Sequence, residues 1–275
     1  MGNYQIVVDS SSNLLNKDNI TVVPLTISLG NDTYIDDDNI NTISFLEKME
    51  GYSGKTTSSC PNQLTWLNSF KNVDEIYAIS ITSKLSGCYN ALLLAKNNFE
   101  ETNEHTKIFA FDTLTTGPEL ELFIEKINEL KNNNFSFNEV TNYLEIYKHK
   151  THLMFMLKSL DNFAKNGRVN IAIAKLCKLL HLCIVGRGST DGKLEPLGKC
   201  RGEKKAINEI FENMLKSNYN GKKVRIAQTC NLKAANMLKD LIIEKFPDAD
   251  ITIKENKALC AYYTERFGLL VGFEE

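Results

Sequence analysis

EIYAISITSKLSGCYNALLLAKNNFE (residues 75–100), followed by KIFAFDT (107–113), is the stretch that decides the fold. Each segment begins with an apolar run rich in Ile, Phe and Ala, which is typical of a buried strand. Between the two runs, Ser86 and Gly87 open a helical pattern that continues through Leu94. A strand, a helix and a second strand in this order favour parallel pairing through a right-handed crossover. The sequence therefore predicts an α/β fold.

The same alternation extends over the rest of the chain. Five further runs have strand character: IVVD (6–9), TVVPLTISL (21–29), HLMFML (152–157), KVRIAQT (223–229) and ADITIKE (249–255). Helical patterns separate most of them. The rhythm breaks near residue 150 and then restarts. We therefore expect two α/β domains with mainly parallel sheets, at 1–150 and 151–275.

Three helices have clear local signals. Ser136, with Glu139 three residues later, forms a capping box that predicts a helix over 137–148. Apolar residues also recur at helical spacing in two stretches near the carboxyl end, one at 206–215 and one at 234–242. Both amphipathic helices are expected to pack on a sheet.

Charge and hydropathy disfavour nucleic acid and a membrane span. The chain has 32 Lys and Arg against 34 Asp and Glu, a formal net charge of -2, so no summed positive field favours nucleic acid. The most apolar long segment, Ile171 to Val185, is interrupted by lysines and a histidine, so it falls short of a spanning helix. We expect no nucleic acid partner and at most transient membrane contact.

The seven cysteines are odd in number and scattered, and no Cys-x-x-Cys pair is present. This usage favours a reducing cytosol over a disulfide framework or a zinc site. No leader with an apolar core precedes the first strand, so we expect a cytoplasmic protein. Because no cysteine pair has the spacing of a zinc site, we also expect no bound metal.

Four hydroxyl-rich segments are candidate anion-binding loops: DSSSN (9–13), TTSSCP (56–61), SKLSG (83–87) and DTLTTG (112–117). In α/β sheets, ligands bind beyond the carboxyl ends of the strands, where helix N–H groups point. Several neutral donors together can hold a carboxylate or phosphate. The alternative is that these residues only cap helices and form turns. No phosphate-binding, dinucleotide or hydrolase motif is present.

Three other residues have two interpretations each. Cys60 and Cys88 lie in candidate site segments and are either nucleophiles or small packing residues, and none of the four histidines stands in a recognisable pairing with them. Arg168 follows Gly167 at an apparent helix end, where it faces an anion or complements the helix dipole.

Several motifs together resemble the DegV family of bacterial lipid-binding proteins. DSSSNL, KTTSSCPNQLTWL and SKLSGCYNA resemble its opening strand, its Thr/Ser-rich segment and its LSGTYxSA signature. FDTLTTG, NFAKNGRV, GKCRGEKKA and YYTERFGLLVGF align in the same order, so the resemblance covers essentially the whole chain.

The resemblance implies two α/β domains with a long-chain fatty acid between them. It also implies similarity to the binding subunit of fatty acid kinase, which presents the acid to a separate kinase for phosphorylation to acyl phosphate. Such a protein would itself have no catalytic residue, cofactor or metal. The implied ligand-binding residues are Thr56, Thr57, Ser58, Ser59, Ser86, Gly87, Arg168 and Tyr263, and the implied partner-facing ones are Lys199, Arg201 and Lys204.

The chain departs from the family pattern near its carboxyl end. Many members have a His-Thr-Gly-Pro-Gly stretch whose histidine lies at the lipid head, whereas this chain has Tyr263 to Phe267. A phenol donates a hydrogen bond but does not become a cation near neutral pH. This departure leaves open a carrier or sensor of another acyl or lipid-like anion. A thiol-dependent enzyme that uses Cys60 or Cys88 is a second, separate alternative.

Overall fold

The computed structural model describes residues 3–169 and 182–275. Within them, strands form a four-stranded, a six-stranded and a three-stranded sheet. No helix of this part of the chain is long and apolar enough to cross a membrane. Most of the apolar segment that begins at Ile171 lies outside the described residues, as does Cys177.

The first sheet confirms the α/β expectation. It has the order β2-β1-β6-β7 and all its pairs are parallel. Ile6, Val7 and Val8 of β1 are fully buried, because helices cover both faces of the sheet. The strands are β1 (Tyr4–Asp9), β2 (Ile20–Val23), β6 (Glu75–Ser80) and β7 (Lys107–Asp112).

The run 21–29 was expected to be one strand, and the structure divides it into two. Pro24 has no N–H to donate to a ladder, and the chain leaves the first sheet there. The second half, β3 (Thr26–Leu29), pairs antiparallel with β4 (Asp32–Ile35) and β5 (Thr56–Ser59) in the small sheet. The hydroxyl segment at 56–59 is therefore a strand, and the expectation of a loop there was wrong.

The six-stranded sheet has the order β10-β9-β8-β13-β11-β12. Only β11 and β12 pair in parallel, so the expectation of a mainly parallel second sheet was wrong. The last strand inserts antiparallel between β8 and β11, and β8, β9 and β10 also pair antiparallel in sequence order. The strands are β8 (Thr151–Leu157), β9 (Cys183–Gly188), β10 (Leu194–Cys200), β11 (Val224–Gln228), β12 (Ile251–Glu255) and β13 (Leu269–Glu274).

Three helices form where the local sequence signals predicted them. Ser136 and Glu139 form the capping box, and the amphipathic helices at 203–216 and 232–245 bury Ile210 and Leu238 against the six-stranded sheet. The helices are α1 (Thr42–Glu50), α2 (Gln63–Leu67), α3 (Cys88–Glu100), α4 (Pro118–Asn132), α5 (Phe137–Tyr147), α6 (Asp161–Lys165), α7 (Glu203–Lys216), α8 (Leu232–Lys245) and α9 (Ala258–Thr264).

Helix α4 follows the last strand of the first sheet and packs against the second. Its contacts there are with β8, β11 and β13. Gly272 permits the contact, since a Cβ there would lie 2.5 Å from the backbone nitrogen of Glu119. The strands of the six-stranded sheet all follow residue 150, but α9 packs on α1, so the chain returns to the amino-terminal half. The domain boundary stays a prediction.

Candidate functional site

A cavity of about 240 Å³ lies between the loops of the first sheet and one face of the second. Leu153, Phe155 and Leu157 alternate along β8 and point into it, while Met154 and Met156 enter the core on the other face. Leu194 of β10 and Leu270 of β13 extend this wall. The second sheet thus supplies an apolar surface that suits a hydrocarbon chain.

Polar side chains meet at one end of this cavity, and contacts link them. Ser58 Oγ and Tyr263 Oη are 2.6 Å apart. Arg168 Nε donates to the carbonyl oxygen of Leu85 at 3.1 Å, next to Ser86. These residues and Ser59 and Gly87 all line the cavity. We call this group, Ser58, Ser59, Ser86, Gly87, Arg168 and Tyr263, the polar end.

The start of α3 contributes an anion-stabilising environment to the polar end. Gly87 is the N-cap residue of this 13-residue helix, and Ser86 precedes it. The N–H of Cys88 donates to Ser86 Oγ at 3.3 Å. Unpaired N–H groups and the helix dipole at such a start favour negative charge. A carboxylate or phosphate at the polar end would therefore find both hydroxyl and backbone donors.

Tyr263 is oriented by packing on both sides. Its ring centroid lies 4.8 Å from that of Phe163 and 4.9 Å from that of Tyr262. Burial raises the pKa of Tyr263, although the Ser58 hydrogen bond and the Arg168 charge lower it in part. The phenol therefore stays neutral at physiological pH and keeps a proton to donate.

Arg168 lies where the cavity opens to the surface. It is exposed, and it lines both the cavity and an outer cleft of about 540 Å³. Lys84 and Lys193 also line this cleft. Gly167, with φ of +71°, lets the chain turn after α6 and directs Arg168 toward Leu85. The polar end thus faces solvent through a cleft that carries positive side chains.

Two of the expected hydroxyls do not reach the cavity wall. Thr56 is buried and accepts a hydrogen bond from Tyr262 Oη at 2.8 Å, so it supports the neighbouring helix. Thr57 is also absent from the wall among the described residues. The structure therefore brings Ser58 and Ser59 to the cavity and leaves Thr56 and Thr57 behind them, and their roles as ligand contacts remain a prediction.

The basic residues expected to face a partner lie apart from the cavity. Lys199 is near the end of β10, and Arg201 and Lys204 surround the start of α7. All three side chains are exposed, and the described residues provide no ion-pair partner for any of them. They form an exposed basic surface whose partner role remains a prediction.

Sequence reasoning did not single out several residues that line the cavity. Ser11 and Thr116 come from the hydroxyl-rich loops at 9–13 and 112–117, which gave a signal for the region but not for the residue. Phe163 and Cys260 had no such signal. Cys60 lines the polar end, while Cys88 is buried beside it. Among the described residues, no group of side chains has the composition of a metal site.

The fold and the cavity define a class: an α/β protein with an apolar cavity that has anion donors at one end. The chain belongs to the DegV family. The family model, described as "Uncharacterised protein, DegV family", matches residues 3–271. A DegV domain-containing protein of Streptococcus pneumoniae is 37% identical over 252 residues, which are 92% of this chain and 90% of that protein.

Two solved structures are similar over almost their whole length. A DegV family protein from Eubacterium eligens, loaded with heptadecanoic acid, has a TM-score of 0.96 and 31% identity, and the match covers 99% of each chain. The Streptococcus pneumoniae Fatty Acid Kinase (Fak) B3 protein, loaded with linoleic acid, has a TM-score of 0.96 and 35% identity, over 98% of this chain and 99% of that one. Neither name favours a thiol-dependent enzyme.

Proposed function

We propose that this protein binds a long-chain fatty acid in the cavity and presents it to a separate kinase for phosphorylation to acyl phosphate. The observation that carries the proposal is the composition of the cavity. Leu153, Phe155 and Leu157 form an apolar wall, and Ser86 and Arg168 lie at the end that opens to the outer cleft. The two similar structures, loaded with heptadecanoic and linoleic acid, support the same ligand class.

The binding free energy has two contributions, one from the acyl chain and one from the carboxylate. Transfer of the acyl chain from water to the apolar wall contributes about 0.8 kcal/mol per CH₂ group. The carboxylate loses its water, and hydroxyl and backbone donors at the polar end replace it. Tyr263 donates as a neutral phenol, and Arg168 adds a positive charge at the opening. The chain therefore provides affinity and the polar end provides orientation.

Presentation to a kinase follows from where the carboxylate would lie. Ser86, Gly87 and Arg168 line both the cavity and the outer cleft, so the carboxylate would lie at the boundary between them. A phosphate donor held by another protein could approach it through the cleft. In this proposal Lys199, Arg201 and Lys204 face the kinase, and the protein works in the cytosol without a catalytic residue or cofactor of its own. The similar protein named for fatty acid kinase supports such a partner.

The test of the ligand is direct. Purified protein is denatured and extracted, and its lipids are identified and counted by mass spectrometry. We expect a long-chain fatty acid near one per chain, because a buried chain survives purification. A folded preparation that holds no acid and has no affinity for added palmitic or linoleic acid contradicts the proposal. A different acyl anion in the extract would support the carrier of another lipid instead.

The test of the partner compares two exposed cations. Arg201→Ala removes a residue of the basic surface, and Lys239→Ala removes an exposed lysine of α8 as a matched control. With a bacterial fatty acid kinase, we expect Arg201→Ala to lower acyl phosphate formation while affinity for the acid stays unchanged, and Lys239→Ala to change neither. Equal loss of binding and phosphorylation in Arg201→Ala would assign the residue to the lipid site.

A further inference from the structure

Two thiols lie next to each other at the polar end of the cavity. Cys60 follows β5 and lines the cavity, and its Sγ lies 3.2 Å from the position that a Cβ at Gly87 would take. Cys88 follows Gly87 as the first residue of α3 and is fully buried. Ser86 Oγ donates to Cys88 Sγ at 3.1 Å, and Ser86 and Gly87 line the same cavity as Cys60. The two thiols therefore flank the start of α3, with Cys60 exposed and Cys88 buried behind it.

The start of α3 makes Cys60 the reactive member. The hydrogen bond with Cys88 lowers the pKa of Cys60 to about 6, and the backbone N–H groups of Cys60 and Gly87 contribute to this shift against the opposing effects of burial and the Asp9 charge. Cys60 is also the exposed member of the pair, so its thiolate, the nucleophilic form, is the one that an oxidant in solution reaches. Cys260 also lines the cavity, but burial raises its pKa, so it stays protonated.

Cys88 has the opposite properties. Its hydrogen bond with Cys60, together with burial and the nearby Asp9 charge, raises its pKa well above the ordinary value. It therefore keeps its proton while Cys60 is ionised. The carboxyl of Asp9 is within hydrogen-bonding range of Cys88, and burial raises its pKa to about 6. A proton acceptor thus stands beside the thiol that still has a proton to lose.

We propose that Cys60 and Cys88 form an oxidisable thiol pair that a hydroperoxide converts reversibly into a disulfide. The Cys60 thiolate attacks one peroxide oxygen; an S–O bond forms, the O–O bond breaks, and the leaving alkoxide or hydroxide takes a proton from water. Cys88 then gives its proton to Asp9, and its sulfur attacks Cys60 Sγ. The S–S bond forms as the S–O bond breaks, and the leaving hydroxide takes the proton back from Asp9 as water.

The disulfide would join two elements of the polar end. Cys60 follows Ser58 and Ser59 directly, and Cys88 follows Ser86 and Gly87. Oxidation would therefore fix the end of β5 to the start of α3, and a dithiol reductant would release it. The chemistry uses only the two cysteines, Asp9 and the peroxide, so the proposal does not depend on which lipid the protein binds.

The experiment measures oxidation of the whole chain. Reduced protein is treated at pH 7 with one equivalent of hydrogen peroxide, free thiols are counted, and peptides are mapped by mass spectrometry. We expect the loss of two thiols, a linked peptide pair that contains Cys60 and Cys88, and full recovery with dithiothreitol. Cys60→Ser should slow peroxide consumption by about tenfold or more, because the thiolate is the attacking group.

Two further variants separate the steps. In Cys88→Ser, Cys60 should still react with the peroxide, but the reaction should stop at a sulfenic acid on Cys60, which dimedone traps. Cys230→Ser, at a half-buried thiol away from the cavity wall, should oxidise like the wild type. Circular dichroism establishes that each variant is folded. The proposal is overturned if Cys230 oxidises as fast as Cys60, or if Cys60 in the wild type proceeds to sulfinic acid without linkage to Cys88.

Discussion

The two large sheets contribute opposite kinds of surface to one cavity. The first is parallel, and loops beyond its strands place Ser11, Ser86 and Thr116 on the wall. The second is mostly antiparallel, and β8 contributes a row of apolar residues such as Phe155. Carboxyl ends of parallel strands converge with helix starts, which favours polar ligands, whereas a buried sheet face is continuous and apolar. Under the proposed function, the second sheet holds the chain and the first orients the carboxylate.

The largest expected effect comes from a charge on the apolar wall. Phe155 is only 4% exposed and lies on β8 facing the cavity. Phe155→Asp should lower affinity for palmitic acid by about 100-fold or more, because an ionised side chain there would lose its water and repel the ligand. Calorimetric titration measures the affinity. Leu197→Asp, an exposed position on β10, is the matched control and should bind normally.

A second variant tests the same prediction in case Phe155→Asp does not fold. Leu194→Asp introduces the same charge at a half-buried position on the same wall. If both folded variants bind the acid as tightly as the wild type, β8 and β10 do not contact the chain and the comparison between the sheets fails.

The next effect is on stability and concerns Glu119, where α4 contacts the second sheet. Glu119 of α4 is buried and accepts hydrogen bonds from the hydroxyls of Thr115 and Thr151, the latter on β8 at 2.6 Å. Burial raises its pKa from 4.5 to about 7. In the folded protein Glu119 therefore keeps its proton at pH values where the unfolded chain has lost it, so stability should fall as pH rises from about 4.5 through 7. The contribution is on the order of 2 to 3 kcal/mol.

Denaturant unfolding at pH 5 and pH 8 measures this contribution. Glu119→Gln, which has no proton to lose, should show a smaller decline than the wild type. Asp9, also buried with a raised pKa, keeps its own part of the decline in both proteins. An identical decline in wild type and variant would show that Glu119 is already ionised in the folded state.

A smaller loss is expected when one donor at the polar end is removed. Ser86→Ala should weaken carboxylate binding by about 1.5 to 3 kcal/mol, roughly 10- to 100-fold, because a charged group loses a hydrogen bond. Titration with palmitic acid measures it. Ser83→Ala, in the same loop and on the outer cleft but not on the cavity wall, should bind like the wild type. If Ser86→Ala also binds normally, Ser86 only caps α3.

The smallest effect separates the two adjacent tyrosines. Tyr263→Phe should weaken binding by about 1 to 2 kcal/mol, since its hydroxyl is one of the hydrogen-bonding groups at the polar end. Tyr262→Phe should lower stability instead, because its hydroxyl bonds Thr56 and Asn166 away from the cavity. Titration and thermal unfolding of both variants distinguish the roles. Equal affinity in the two variants would leave Tyr263 as a packing residue beside Phe163.

Local sequence patterns predicted a large part of the fold. The α/β class, the capping box at Ser136 and the amphipathic helices depend on periodicity and on residues within a few positions of one another. Local patterns did not predict strand direction, because β13 inserts antiparallel between β8 and β11, and β8 lies far from it in the sequence. They also failed at 56–59, where Thr and Ser suit a loop but pair with β3.

The sequence by itself determined which kinds of residue the site contains, and the tertiary structure decided which of them meet. Resemblance to a family indicated Ser58, Ser86, Arg168 and Tyr263, but Ser58 and Tyr263 are 205 positions apart and only packing brings their oxygens within 2.6 Å. The approach of Cys60 to Gly87, the residue before Cys88, likewise appears only where β5 ends beside α3. The physical reason is that hydrogen-bonding preference and periodicity act along the chain, whereas cavity walls and thiol contacts depend on distances across it.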